Sequence, residues 1–290
     1  MTLHPDGTPI PPLPDLRFVE LDAAALGLEG GRISYMEAGE SKQRTILCLH
    51  GIGSNSMGWR FSLAGLSRHA RVIAWNAPGY MLSDNFATAA PTPGQYVEVA
   101  VALLDALGVK GPVCLAGSSF GSMLAACMAA RHPDRVARLA LLGTSRGQRW
   151  KGKEERARML AMREASIAEG PMALARTRSD NLVAAGTPEA VRAMVRNVVA
   201  ATNPRAYLQA ARCTDAVDVV EDFAPRIACP TLCITGDADT VNPPVVGHAV
   251  AAAIPGARFV SPLRIGHLAE LEAPMQTLGL LRNHFLGDAG

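Results

Sequence analysis

Pro112-Val113-Cys114-Leu115-Ala116-Gly117-Ser118-Ser119-Phe120-Gly121 is the stretch on which the reading of this chain turns. Its first five residues form an apolar run with the length of a buried strand, and the residues after it, Ser122 to Arg131, have a helical composition. A serine held between strand and helix sits on a very sharp turn, and glycines two positions to either side leave the backbone room to make it. Ser119 has Gly117 and Gly121 at that spacing, whereas Ser118 has Ala116 and Phe120. Ser119 is therefore the candidate nucleophile. The bare pattern is only moderately specific, and its strand-turn-helix setting gives it weight.

Outward from this turn, short β-like runs alternate with helical segments, the pattern of a mostly parallel sheet covered by helices on both faces. Residues 17–21 and 32–36 read as an opening antiparallel pair, and 45–49, 71–75, 113–116 and 138–142 as buried strands. Gln95 to Leu107 carries an apolar stripe at helical spacing, with Gly108 as its stop. After Gly143 the pattern changes. Residues 145–223 contain no strand-like run, only helical segments broken by Gly170-Pro171, Gly186-Thr187-Pro188 and Asn203-Pro204. Strands resume at 230–235 and 258–261, and a closing helix is expected over 274–285. The expected organisation is an α/β core in two parts, 1–144 and 224–290, interrupted by a helical cap at 145–223.

Composition bounds the function classes. The chain has 290 residues, enough for one sizeable core with an insertion. A net charge of +2, from 28 basic and 26 acidic residues, gives no footprint for nucleic acid or a charged membrane surface. The start of the chain is Pro-rich and polar rather than signal-like, and no apolar run reaches the roughly 18 residues of a membrane span. Six cysteines fall mostly in strand-like or helical runs, with no C-x-x-C pair, as expected of free thiols in a reducing cytoplasm. The expected partner is a small-molecule substrate, with a homodimer as the form self-association would take.

A serine hydroxyl needs a base to take its proton and a third group to hold that base in the right tautomer. His267 follows the last strand in Gly266-His267-Leu268, and Asp239 follows the strand that restarts the fold in Gly236-Asp237-Ala238-Asp239. The order Ser119, Asp239, His267 is that of an α/β-hydrolase triad. With it stand His50-Gly51-Ile52-Gly53 after the third strand, Ala77-Pro78-Gly79-Tyr80 with Ser83-Asp84 after the fourth, and Glu272 and Pro274 after the histidine. In these motifs the chain resembles the α/β-hydrolase superfamily over nearly its whole length. The resemblance implies an eight-stranded, mostly parallel sheet with a helical cap, hydrolysis of a carbonyl compound, and no metal or organic cofactor. It implies an oxyanion hole from the backbone N–H groups of Ile52 and Phe120, and a bracing role for the His50 ring. It favours Asp239 over Asp237 as the acid, because the family's orienting aspartate usually sits three residues after the strand-ending glycine; Asp237 then reads as a turn residue.

The chain also departs from the family. Asn76 stands where many relatives carry aspartate before the Pro-Gly turn, and Met81 where they often carry glycine, which bears on loop anchoring and substrate range. The serine elbow argues against haloalkane dehalogenase and epoxide hydrolase chemistry, which use an aspartate nucleophile. An ester, lactone or thioester hydrolase is the leading expectation. A carbon-carbon bond hydrolase of the meta-cleavage type comes second, because the chain lacks the Gly-Pro-Gly oxyanion stretch and carries Leu268 where such relatives have tryptophan. Cofactor-free peroxidase or oxygenase activity and a non-catalytic ligand-binding role are further alternatives on this scaffold. Within the cap, Met159, Met162, Met172 and Met194 suit either a flexible pocket or the glue between helices. Residues 146–163 hold seven Lys or Arg against two Glu, a solvated face or an attraction for a carboxylate-bearing substrate.

Overall fold

Every strand expected from the apolar runs is present in the computed structural model, which describes residues 2–41 and 43–287. The strands are β1 (Leu16–Glu20), β2 (Arg32–Ala38), β3 (Thr45–Leu49), β4 (Arg71–Trp75), β5 (Val113–Ser118), β6 (Val136–Leu142), β7 (Thr231–Ile234) and β8 (Arg258–Val260). They form one sheet in the order β1-β2-β4-β3-β5-β6-β7-β8. β2 is antiparallel to both β1 and β4, and all other pairs are parallel. All six residues of β5 are buried, as a central parallel strand covered on both faces requires.

The helices of the first half are α1 (Ala23–Leu26), α2 (Arg60–Leu66), α3 (Pro93–Ala106) and α4 (Phe120–Arg131). Helix α3 begins two residues before the apolar stripe suggests. Thr92 accepts from the Gln95 N–H, the Gln95 side chain accepts from the Thr92 N–H, and Pro93 takes the first helical position, where its missing N–H costs nothing. Between β6 and β7 run α5 (Lys153–Ala168), α6 (Pro171–Arg178), α7 (Glu189–Ala200), α8 (Pro204–Asp215) and α9 (Val219–Asp222), and the chain ends with α10 (Pro244–Ala253), α11 (Ala269–Glu272) and α12 (Pro274–Leu286). None of the described helices is long and apolar enough to cross a membrane.

Two apolar clusters fill the two faces of the sheet. A third joins the helical insertion to the core: Leu174, Leu182, Val195, Val198, Val199 and Tyr207 pack with Phe61, Leu268 and Leu271. Helix α7 supplies its part through Val195, Val198 and Val199, which with Val191 form one buried stripe on a helix whose other residues are half-buried or exposed. Register then decides which loops meet. Leu49 aligns with Gly117, Ser118 with Leu142, Leu142 with Ile234, and Ile234 with Val260, so five parallel strands end level at one edge. The loops carrying His50, Ser119, Asp239 and His267 all leave from that edge, where ligands of open α/β sheets bind.

Candidate active site

Ser119 occupies the turn between β5 and α4 at φ +54° and ψ −116°, a conformation that costs a non-glycine residue about 1–3 kcal/mol. Its neighbours explain how the strain is held. A Cβ on Gly117 would lie 2.2 Å from the Gly121 carbonyl oxygen, and one on Gly121 would lie 2.0 Å from the Leu49 carbonyl oxygen. Both glycines are thus demanded by close backbone approach. Ser119 N–H donates to Leu142 O at 2.8 Å, and the Ser122 hydroxyl donates to Ser119 O at 2.6 Å, pinning the turn from two sides. Ser118 is otherwise engaged: its buried hydroxyl donates to Glu270 Oε1 at 2.7 Å.

The structure brings His267 and Asp239 together. His267 Nδ1 lies 2.8 Å from Asp239 Oδ2, and both side chains are buried. Asp239 Oδ1 accepts the Val241 and Asn242 N–H groups at 2.8 and 2.9 Å, which fixes the carboxylate and leaves Oδ2 to the imidazole. The ring rests on Gly143, at φ +48°, where a Cβ would come within 3.1 Å of its Cε1 and Nδ1. With Nδ1 engaged, Nε2 has no protein partner among the described residues. His267 and Ser119 line one small cavity with Gly51, Ile52, Gly53, Leu182, Val198 and Leu268. Asp237 stands apart, accepting the Ile265 N–H at 3.4 Å.

The loop after β3 approaches Ser119 closely: a Cβ on Gly51 would lie 3.0 Å from Ser119 Cβ. The N–H groups of Ile52 and of Phe120, the first residue of α4, have no backbone acceptor among the described residues. His50 is buried, its Nε2 accepting the Ala77 N–H at 3.0 Å. The proton therefore sits on Nδ1, which donates to Gly51 O at 2.9 Å. Burial lowers the His50 pKa to about 4 and keeps the ring neutral while it ties the two loops together.

Asn76 does the anchoring work without a charge. It is fully buried, its Oδ1 accepts the Ser56 N–H at 2.7 Å, and its Nδ2 donates to Ser34 Oγ at 3.0 Å. Met81, at φ +42°, lines an open surface groove with Leu82 and Asp84 and adds no bulk at Ser119. Met162 and Met172 are exposed, and Met194 packs at the edge of the third cluster, so none of these lines the cavity at Ser119.

The pattern of the sequence did not single out Glu270. It is buried within electrostatic reach of His267 and Asp239, and its Oε2 has no partner; burial pushes its pKa up. Glu272, by contrast, clasps the histidine loop to the insertion. Oε2 accepts the Gly266 N–H at 2.7 Å, and Oε1 accepts the Ala184 N–H at 2.8 Å and the Thr187 hydroxyl. The N–H groups of His267 and Leu268 both donate to Leu182 O. Among the described residues no three His, Cys, Asp or Glu side chains gather as metal ligands would.

The sequence profile of the alpha/beta hydrolase fold matches residues 44–274. The chain is 30% identical over 209 residues to (E)-2-((N-methylformamido)methylene)succinate hydrolase of Acinetobacter baylyi, covering 71% of this chain and 75% of that protein. It is 36% identical over 103 residues to 2-hydroxymuconate semialdehyde hydrolase of a Pseudomonas strain, a match spanning 34% of this chain and only 36% of that relative. Among solved structures, the enol-lactonase of Burkholderia xenovorans superposes with a TM-score of 0.80 at 26% identity, covering 94% of this chain and all of the other.

Proposed function

As a member of the α/β-hydrolase family this chain is a hydrolase, and we propose that it cleaves a small ester, lactone or thioester through a serine acyl-enzyme. The observation that carries this reading is the His267 imidazole, held by Asp239 at 2.8 Å through Nδ1 and lining one cavity with Ser119. In that arrangement His267 Nε2 takes the Ser119 proton as Oγ attacks the carbonyl carbon. The negative oxygen of the tetrahedral intermediate is met by the Ile52 and Phe120 N–H groups, with the N-terminal end of α4 behind the second. Collapse expels the alcohol or thiol, protonated by His267, and leaves Ser119 acylated. Water, deprotonated by the same imidazole, attacks the acyl carbon and frees the acid. Asp239 holds the tautomer and balances the imidazolium throughout.

Residues 145–223 serve as the cap. The cavity at Ser119 measures about 10 Å³, room for roughly one water, so a substrate enters only when the wall formed by Leu182 and Val198 moves. Carbon-carbon bond hydrolysis is the second reading, favoured by the likeness to 2-hydroxymuconate semialdehyde hydrolase over a third of the chain. Turnover on a panel of esters and lactones beside a ring-fission dienone separates the two. For the chemistry itself, Ser119→Ala is expected to abolish hydrolysis of a short-chain p-nitrophenyl ester with an unchanged circular dichroism spectrum. A fluorophosphonate should add its mass to Ser119 alone. Retained turnover in the variant overturns the assignment.

A further inference from the structure

The seven basic residues of 146–163 are of three kinds: Lys153 and Arg158 are exposed and have no acidic partner within 4 Å, four are paired, and Arg163 remains. Arg146 holds Asp218 in a bidentate pair at 2.8 and 2.7 Å, Arg149 pairs with Asp222, Lys151 with Glu155, and Arg156 holds Asp215 at 3.0 and 2.6 Å. Arg163 is different: it is half-buried on α5, and burial, with the like charge of Arg178 added, pushes its pKa down. Among the described residues no carboxylate lies within 4 Å of either arginine; Asp215, the acid nearest in influence on Arg163, is already claimed by Arg156.

The other groups around Arg163 are donors as well. Arg178 donates from Nη1 to the Tyr207 hydroxyl at 3.0 Å, while its own buried Nε has no partner. Tyr80 is fully buried against the His50 ring, 4.7 Å between centroids, and its hydroxyl ends beside the Gly53 N–H without reaching hydrogen-bond geometry with any group. The Thr202 hydroxyl is buried and unpartnered too. These side chains meet at Gly53: a Cβ there would touch Tyr207 and Thr202 Oγ1, each at 3.7 Å. Gly53 also lines the cavity at Ser119 and follows Ile52 directly. The Arg178 guanidinium and several hydroxyls thus converge beside the site, with Arg163 in electrostatic reach of Arg178, Tyr207 and Tyr80 and no acidic partner within 4 Å of either arginine. Buried polar groups and part-buried charges without partners are unfavourable, and an anion supplies what these lack.

We infer that Arg163 and Arg178, with the hydroxyls of Tyr80 and Tyr207, form a carboxylate-binding subsite, and that the substrate is a carbonyl compound carrying a free carboxylate on the far side of Gly53 from the bond that is cleaved. Planar guanidinium forks suit a carboxylate's two oxygens. This assignment rests on the hydrolase reading for the identity of the cleaved bond, but the anion site itself does not require turnover.

The test uses mono-p-nitrophenyl adipate and p-nitrophenyl hexanoate, esters of matched length that differ in one terminal carboxylate. The wild-type enzyme is expected to prefer the adipate ester at least ~10-fold in kcat/KM. Arg163→Met should collapse that ratio to near one, with a loss of about 30-fold or more on the adipate ester carried mainly by KM. Because the variant removes a charge that has no partner in the free protein, its Tm should stay level or rise. Arg178→Met is the second variant and should lower the same ratio. No preference in the wild type, or an unchanged ratio in both variants, overturns the subsite. If neither ester is turned over, the ester-hydrolase reading fails and the anion site is judged by calorimetry with adipate alone. Binding to Ser119→Ala that is lost in the Ser119→Ala, Arg163→Met double variant sustains it; no binding to Ser119→Ala overturns it.

Discussion

Asp239→Asn changes one atom, and the surrounding hydrogen bonds dictate its consequence. Oδ1 of the native carboxylate accepts two backbone N–H groups, from Val241 and Asn242, at 2.8 and 2.9 Å. The carbonyl oxygen of asparagine must take that place, because the flipped amide would set its NH2 against both donors. Its NH2 then faces His267 Nδ1, which in the native protein lies 2.8 Å from Oδ2. A donor now opposes a donor, so the imidazole proton moves to Nε2, and the nitrogen turned toward Ser119 can no longer take a proton. In serine hydrolases of this logic the wrong tautomer lowers kcat by about 10⁴, which is about 5.5 kcal/mol of transition-state stabilisation at 1.36 kcal/mol per decade. KM for a short p-nitrophenyl ester should change little, since the amide and the carboxylate fill the same volume. Asp237→Asn is the control. Asp237 takes one long bond, 3.4 Å from Ile265 N, and its variant should lose less than ~3-fold in kcat. Steady-state kinetics at neutral pH on both variants decides the matter, with circular dichroism to verify folding. A larger loss for Asp237→Asn, or an Asp239→Asn enzyme within ~100-fold of wild type, refutes the argument.

The packing around the site sets three further outcomes. Gly121→Ala would set a methyl 2.0 Å from the Leu49 carbonyl oxygen, backbone against backbone, so urea unfolding should show a loss of at least ~3 kcal/mol. Glu272→Ala removes the shared acceptor of Gly266, Ala184 and Thr187, and should cost about 3 kcal/mol together with a lower kcat; an unchanged urea midpoint would exclude the clasp. Glu270 has its folded pKa raised above the ordinary 4.5, so the protonated acid favours the folded state, and that contribution is lost as pH rises through the folded pKa. Glu270→Gln keeps the acceptor for Ser118 and cannot ionise. Its urea midpoint should therefore exceed that of wild type by a margin that widens as pH rises above 4.5, and a margin that narrows instead would contradict the sign.

Much of the fold and of the site is legible in the chain because the signals are local. The elbow is a run of ten residues, and Gly117 and Gly121 leave little choice about which serine is exposed. The inner strands from β3 to β7 are readable because buried parallel strands are largely uninterrupted apolar runs. The apolar stripe places the start of α3 two residues late because the cap, Thr92 with Gln95, lies outside the stripe. Adjacency to Tyr80 in sequence puts Met81 near the site, but positive φ at Met81 and Leu82 turns the chain outward. Glu270 carries no signal at all. One carboxylate three residues from a histidine on a short helix looks like a surface group until Ser118 is found beneath it, 152 positions away in sequence.

Glu270, buried, and Arg163, half-buried, both lack a full set of partners, and they resolve in opposite ways. A carboxyl group can shed its charge by taking a proton, so burial at Glu270 turns into a raised pKa and a dependence of stability on pH. An arginine has no such route at physiological pH, because a guanidinium stays protonated there even when its pKa is lowered. Its charge persists, and with Asp215 already taken by Arg156 the proposed partner is one from outside the chain. The sequence could count seven basic residues in that stretch, but only the pairing of four with acids and the exposure of Lys153 and Arg158 set Arg163 apart. On the proposed reading the information about substrate sits in an imbalance of charge within residues 145–223, while the information about chemistry sits in the order of residues along the sheet edge.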